Sequence, residues 1–370
     1  MQVVTQLARI VFVIIACGGP ANAQTPSAPV ENPAATPIPI VSQTQQREIK
    51  SPWLLAPLFS SNPKLGAAGG AIAGYMRYFD AESRLSVFGV LYQYTSTHSQ
   101  IAGVFARTSF GADHHRIVGI GAFGNVKNDY DDYLGTGQPL KTDSALAAGA
   151  ARYLYRFWGN WLAGPQANAL NYQVAGATPE DDLVLETIGV RDFNSVAIGA
   201  SVMHDSRDNE DMPTKGWYSN VNDFAYREAL GGASSYDAYR VDFRAFWRHG
   251  GDHVLAVRQY NWFTHEAPAS AQASVTLRSY KFGQYLAPYM SSLEVEERLS
   301  FGSRWGATLF TGTAGLYGEA TLPLGRTFYP MFGAGMHFVL KPEARMIVNL
   351  EYAQGIEDNH GVYLKLGYGW

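Results

Sequence analysis

Two stretches of the chain concentrate polar and charged residues in an order that could do chemistry. The first is His204-Asp205-Ser206-Arg207-Asp208-Asn209-Glu210-Asp211-Met212-Pro213-Thr214-Lys215-Gly216. Asp and Asn side chains bond their own backbone in a turn, Pro213 fixes φ, and Gly216 permits a tight re-entry, so this stretch reads as an elaborate hairpin turn. The second is Leu277-Arg278-Ser279-Tyr280-Lys281-Phe282-Gly283-Gln284-Tyr285, inside a stretch of about 25 residues without strand pattern, a length uncommon unless functional or disordered. An arginine flanked by aromatics and glycine predicts a loop that is tucked in and ordered. Catalysis has no comparable support. There are nine His, but neither G-x-S-x-G nor H-E-x-x-H occurs, His114-His115 falls at a turn, and His204 stands beside the hairpin. The chain is expected not to be an enzyme, with no cofactor and no metal site.

The elements that position these stretches read as strands. The chain holds 38 Gly, 22 Tyr and 19 Phe with only 16% charged residues, against about 25% in ordinary globular domains. Aromatic girdles and glycines at bends of a transmembrane β-barrel account for both excesses. No stretch of 18 apolar residues supports a membrane helix. Net charge is −4 with no basic block, so nucleic-acid binding is excluded on electrostatic grounds. At the N-terminus Arg9, the run Ile10–Ala16 and Ala21-Asn22-Ala23 predict a signal peptide over 1–23. Cleavage after Ala23 leaves no cysteine, although Ile14-Ile15-Ala16-Cys17 also resembles a lipobox. Residues 24–52, poor in aromatics, read as a disordered periplasmic lead, and 53–370 as the outer-membrane barrel.

Alternation defines the strands. In 236–248, Tyr239, Val241, Phe243, Ala245 and Trp247 share one face, with Arg240, Asp242, Arg244, Phe246 and Arg248 on the other. In 343–352, Met346, Val348, Leu350 and Tyr352 oppose Arg345, Ile347, Asn349 and Glu351. Strands are expected near 66–80, 84–96, 100–111, 115–125, 144–157, 161–174, 194–207, 215–229, 235–249, 252–265, 290–301, 304–318, 327–340, 343–354 and 361–370. Bacterial single-chain barrels have even strand numbers, and 182–190 supplies the sixteenth. The last strand ends Gly367-Tyr368-Gly369-Trp370, its alternate residues wholly apolar, as lipid-facing positions require.

Together these stretches resemble the bacterial surface-antigen superfamily, the BamA/TamA group of outer-membrane barrels. Asp205-x-Arg207-Asp208-Asn209 with Pro213 and Gly216 is similar to its D-x-R-D-N…P…G hairpin. Leu277-Arg278-Ser279-Tyr280 is similar to its V-R-G-[FY] loop, and Glu294-Val295-Glu296-Glu297-Arg298 to the E-x-R strand that follows. The resemblance implies an all-β, sixteen-stranded transmembrane antiparallel β-barrel whose long loop folds inward. It also implies that Arg278 pairs with Glu296, beside Glu294, fixing Ser279, Tyr280 and Gly283 in the lumen; a bidentate arginine–carboxylate contact holds one orientation. The motif's glycine is Ser279, and its aspartate on the next strand corresponds to Thr313. Glu297 falls on the lipid face, which places it at a rim or puts the register in doubt.

The resemblance also implies a seam between the first and last strands, with Gly66, Gly69, Gly70 and Gly74 meeting Gly361, Gly367 and Gly369. Trp370 and Tyr368 would then serve as the signal read by the cell's barrel assembly machinery. The superfamily's transporting members carry POTRA modules, which are not recognisable here, so a POTRA-bearing or other periplasmic partner is expected beside outer-membrane lipid. The functions left open are assistance in outer-membrane protein or lipid assembly, and a passive pore or structural surface protein. In the latter case Arg152, Arg156, Arg240, Arg244, Arg248 and Arg258 would bias a pore towards anions.

Overall fold

The computed structural model describes residues 52–62, 66–130, 140–187, 193–209, 212–268, 271–280, 285–319, 326–341, 346–356 and 359–366. The first strands are β1 (Trp53–Asn62), β2 (Gly66–Arg77), β3 (Ser86–Thr95), β4 (Gln100–Phe110) and β5 (His115–Tyr130). They are followed by β6 (Leu140–Trp158), β7 (Trp161–Gly176), the helix α1 (Pro179–Thr187), β8 (Phe193–Asp205), β9 (Gly216–Tyr226), β10 (Tyr236–His249) and β11 (His253–His265). Two short strands, β12 (Ala273–Ser274) and β13 (Leu286–Ala287), pair inside the next connection. The chain ends with β14 (Tyr289–Phe301), β15 (Trp305–Tyr317), β16 (Phe328–Lys341), β17 (Met346–Gln354) and β18 (His360–Leu366). All but β12 and β13 form one 16-stranded antiparallel sheet in which each strand pairs with its neighbours in chain order. The result is a sixteen-stranded transmembrane antiparallel β-barrel. Gly367, Tyr368 and Trp370 lie outside the described residues.

Two expectations are corrected. The described part of 182–190 is not a strand but α1, because the residues before it form a helix start. The Thr178 hydroxyl accepts the Asp181 N–H at 3.2 Å while Asp181 Oδ2 accepts the Thr178 N–H at 3.2 Å. That reciprocal cap, Pro179 in the first turn and the acidic run Glu180, Asp181, Asp182 all favour a helix N-terminus. The sixteenth strand is β1. It stands at the end of the sheet and pairs with β2 from Trp53↔Tyr75 to Asn62↔Gly66. Consequently Gly66 and Gly70 do not lie at a seam. They belong to β2, paired on one side with β1 and on the other with β3, as in Gly70↔Leu58 and Gly70↔Gln93.

The outward face is a lipid-facing band. Val90, Val104, Ile198, Val221, Leu293 and Leu309 occupy its middle, all exposed. Exposed aromatics gather where strands approach the connections. Tyr155, Phe157, Trp247, Phe301 and Trp305 mark the end with the tight turns, and Tyr94, Tyr239, Tyr317, Phe328 and Tyr352 the end with the loops. This is the girdle arrangement of outer-membrane barrels. Glu297 faces outward near the turn end, where His249 Nε2 stands 2.9 Å from its carboxylate; a rim charge of that kind costs only about 0–1 kcal/mol.

The inward face divides into two regions. Beneath β2–β7 it holds an apolar cluster, with Ile72, Leu91, Ile101, Phe105, Val126 and Leu146 buried together. Beneath β10–β17 it is ionic. Three glycines in the two regions face aromatic rings across the ladder: Gly89 opposite Phe105 in the first, Gly306 opposite His337 and Gly333 opposite Phe310 in the second. A Cβ at any of the three would overlap the ring, so the bare backbone is what lets each ring lie across it.

A closed barrel of this size resists detergent, so unheated protein should migrate differently from boiled protein on a denaturing gel. Identical mobility of the two samples would contradict the barrel.

Candidate functional site

The inward positions of β14 are Glu294, Glu296 and Arg298, all buried, while Leu293, Val295 and Glu297 point the other way, as strand alternation requires. Arg278 comes down from the 266–288 connection onto this row. Its Nη1 stands 2.8 Å from Glu296 and 3.2 Å from Glu351, and its Nε 3.4 Å from Glu294. The guanidinium lies 3.6 Å above the centroid of the Phe310 ring, a cation–π contact strengthened by desolvation. Gly312 and Gly335 leave room for Glu294 and Glu351, whose Cγ atoms lie 3.0 and 2.7 Å from where a Cβ would stand.

Burial decides what these contacts are worth. Side-chain exposure is 8% for Arg278, 3% for Glu294 and 0% for both Glu296 and Glu351. Exposed ion pairs contribute at most about 1 kcal/mol, whereas removing one partner of a buried pair costs roughly 3–5 kcal/mol. The third carboxylate is supplied by β17 rather than β15. Thr313 belongs to the outward series with Leu309 and Thr311, and Glu351, oriented by a 2.6 Å bond from Asn349 Nδ2, takes the place expected for an aspartate there.

The rest of the loop is anchored as well. The Ser279 N–H donates to the Tyr363 hydroxyl at 2.9 Å, the Tyr280 hydroxyl donates to the Pro330 carbonyl at 2.6 Å, and the Ile356 N–H donates to the Tyr280 hydroxyl. Ala273, Val275, Leu277 and Ala287 pack in one buried cluster with Trp262, Met290 and Met331 of the wall. Ser279 has φ +84°, the left-handed region that favours glycine, and its hydroxyl is buried without a hydrogen bond. The departure from the motif's glycine is therefore a strained one. Gly283 lies outside the described residues.

The hairpin residues are also brought together. Arg207 forms a two-pronged contact with Asp205 at 2.8 and 2.9 Å. Asp208 accepts from the Thr214 N–H and hydroxyl, both at 2.8 Å, and Asn209 Oδ1 accepts the Met212 N–H at 2.7 Å. Gly216 stands at φ +95°, with no room for a Cβ beside the Ser206 carbonyl. The Pro213 carbonyl accepts from Arg298 Nη1 at 3.3 Å.

The arginines considered as pore-lining are engaged with neighbours. Arg244 and Arg258 both bind Asp242, and Arg258 also reaches Glu294 at 3.6 Å. Arg152 donates to Gln166 and Asn222, Arg240 lies over the Trp262 ring, and Arg248 donates to Thr214. Arg156 belongs to a cluster that sequence reasoning missed. Arg84, Arg116 and Arg156 converge on Asp113 at 3.3, 2.6 and 2.5 Å. Burial pushes the Asp113 carboxyl up, but Arg116 and Arg84 outweigh it and hold the group at about 2, below its ordinary 3.8. Only Arg116, three residues on, is local to Asp113; Arg84 and Arg156 reach it from the neighbouring turns.

The Omp85 superfamily domain matches residues 103–286, a span holding both the hairpin and Arg278. This chain belongs to the Omp85 superfamily. Solved structures agree on the fold. BamA from Haemophilus ducreyi lacking POTRA domains 1–3 is 11% identical, with 85% of this chain and 69% of that one covered and a TM-score of 0.57. CdiB from Acinetobacter baumannii is 10% identical, with 89% and 65% covered and a TM-score of 0.61. CdiB from Escherichia coli is 9% identical, with 88% and 66% covered and a TM-score of 0.59. The chain thus spans about two thirds of the length of these structures. No curated protein sequence matches it. As an Omp85 barrel it resides in the bacterial outer membrane, in contact with lipid.

Two outcomes follow. Ser279→Gly removes left-handed strain and an unpaired hydroxyl, and should raise stability by about 1 kcal/mol in denaturant unfolding from detergent; a loss would show that the hydroxyl has a role. Asp113 stabilises the barrel above its unfolded pKa, and this contribution disappears as pH falls from about 4 to about 2. The stability advantage of wild type over Asp113→Asn should shrink by roughly 2 kcal/mol over that window. An advantage independent of pH would contradict the ion cluster.

Proposed function

We propose that this barrel assists the assembly of outer-membrane proteins or lipid, together with a POTRA-bearing or other periplasmic partner, and that it performs no bond-breaking chemistry. The observation that carries this reading is the locked loop. Arg278 binds three buried carboxylates on two strands, and the loop's apolar residues fill the space beside them. A lumen occupied in this way is poorly suited to steady passage of solute. It is well suited to a barrel whose wall and loop do work on the membrane around it.

Family membership and the likeness to BamA and CdiB barrels support the same direction. The ionic wall argues against a passive anion pore in particular. Arg244, Arg258, Arg278 and Arg298 face Asp242, Glu294, Glu296 and Glu351, so these four positive charges are matched within the wall, while Arg240 lies over the Trp262 ring. The partner is expected at the turn end, the periplasmic side by the rule that outer-membrane barrels have short periplasmic turns and longer external loops.

The test is reconstitution of the full chain into liposomes, with a small outer-membrane barrel presented unfolded as client. Faster client folding than in empty liposomes is the expected result, together with small, irregular conductance events in planar bilayers. Steady large conductance with no acceleration of folding would overturn the proposal in favour of a pore.

A further inference from the structure

The loop at one end of the barrel and the hairpin at the other are linked through Glu296 and Arg298 of β14. Glu296 takes Arg278 of the loop on Oε2 at 2.8 Å and the Arg298 Nε on Oε1 at 2.7 Å. The same Arg298 donates through Nη1 to the Pro213 carbonyl in the hairpin between β8 and β9. A second route runs around the wall. Arg278 faces Glu294, Glu294 faces Arg258, and Arg258 and Arg244 grip Asp242. Arg244 then lies 5.3 Å over the Tyr218 ring, whose other cation–π partner is Arg207 of the hairpin, at 4.6 Å.

Both routes run through side chains taken out of water, where charges interact strongly and an unmatched one is costly. Arg298 is 2% exposed and Glu296 0%, while Arg207 and Asp205 are each 4% exposed. Removing Arg278 leaves Glu296 and Glu294 with excess negative charge; Arg258 stands beside Glu294, and Arg298 is the cation left beside Glu296. Arg298 must then close on the carboxylate or let water in, and either response disturbs its bond to Pro213.

We propose that Arg298 and Glu296 couple the loop to the hairpin, so that release of Arg278 at the loop end loosens the Asp205–Gly216 hairpin at the turn end. The barrel thereby carries the state of its loop across the membrane to the side where a partner would dock. The coupling is a property of the wall and does not depend on what the barrel assembles.

Limited trypsin digestion of the folded, detergent-solubilised full chain tests this, reading cleavage after Arg207, which is buried in the intact hairpin. Arg278→Ala should raise the rate of that cut roughly fivefold or more, as loss of local stability raises the open population. Tyr280→Phe frees the loop from Pro330 without touching the carboxylates and should leave the rate unchanged. Arg278→Lys keeps the charge but loses the fork, and serves if the alanine variant lacks folded-barrel mobility; it should also raise the rate. An unchanged rate in folded Arg278 variants would overturn the coupling, and so would an equal rise in Tyr280→Phe.

Discussion

Glu296 is the residue on which the interior depends. It has no access to water, it lies between two guanidiniums, and its charge is tolerable only because both are present. Placing an ion there is expensive, of the order of several kcal/mol before its partners are counted. The surrounding structure is arranged to meet that cost. β14 alternation aims Glu294, Glu296 and Arg298 inward, Phe310 supplies a floor for Arg278, and Gly333 leaves space for Phe310. Glu351 arrives from β17 to complete the set. The loop is held because the carboxylates need its arginine as much as the loop needs them.

This arrangement also explains the division of the barrel interior. The wall beneath β2–β7 packs an apolar core with the Asp113 ion cluster at its turn end, while the wall beneath β10–β17 carries the Arg278 carboxylates and the apolar patch that receive the loop. An outer-membrane barrel needs no hydrophobic core, since lipid covers its outside. Its inside is free to be built for a task, and here one half is structural and the other is a site.

Much of this was legible in the residues themselves. The alternation in 236–248 and 347–352 separates inward from outward side chains as the structure does, and Glu296 falls inward beside Glu294 and Arg298. What failed was of two kinds. In α1, a helix cap at Thr178-Pro179 outweighed the apolar content of Leu183, Val184 and Leu185, and β1 opens on an apolar run, residues 53–59, that lacks the alternation marking the other strands. Glu351 and Asp113 failed for another reason. Alternation places Glu351 on the charged face but cannot say which strands curl towards the loop, and the arginines around Asp113 meet only once the turns have folded. Those contacts belong to the closure of the sheet, not to any local run of sequence.

The claim that the loop is locked through a desolvated arginine–carboxylate set is tested most directly by a double-mutant cycle. Arg278→Ala, Glu296→Ala and the double variant are unfolded by denaturant from the same detergent. The account predicts that each single variant is strongly destabilised and the double variant much less than their sum, with a coupling of about 2–3 kcal/mol. Strict additivity would contradict it, showing that the two side chains lie near each other without depending on each other.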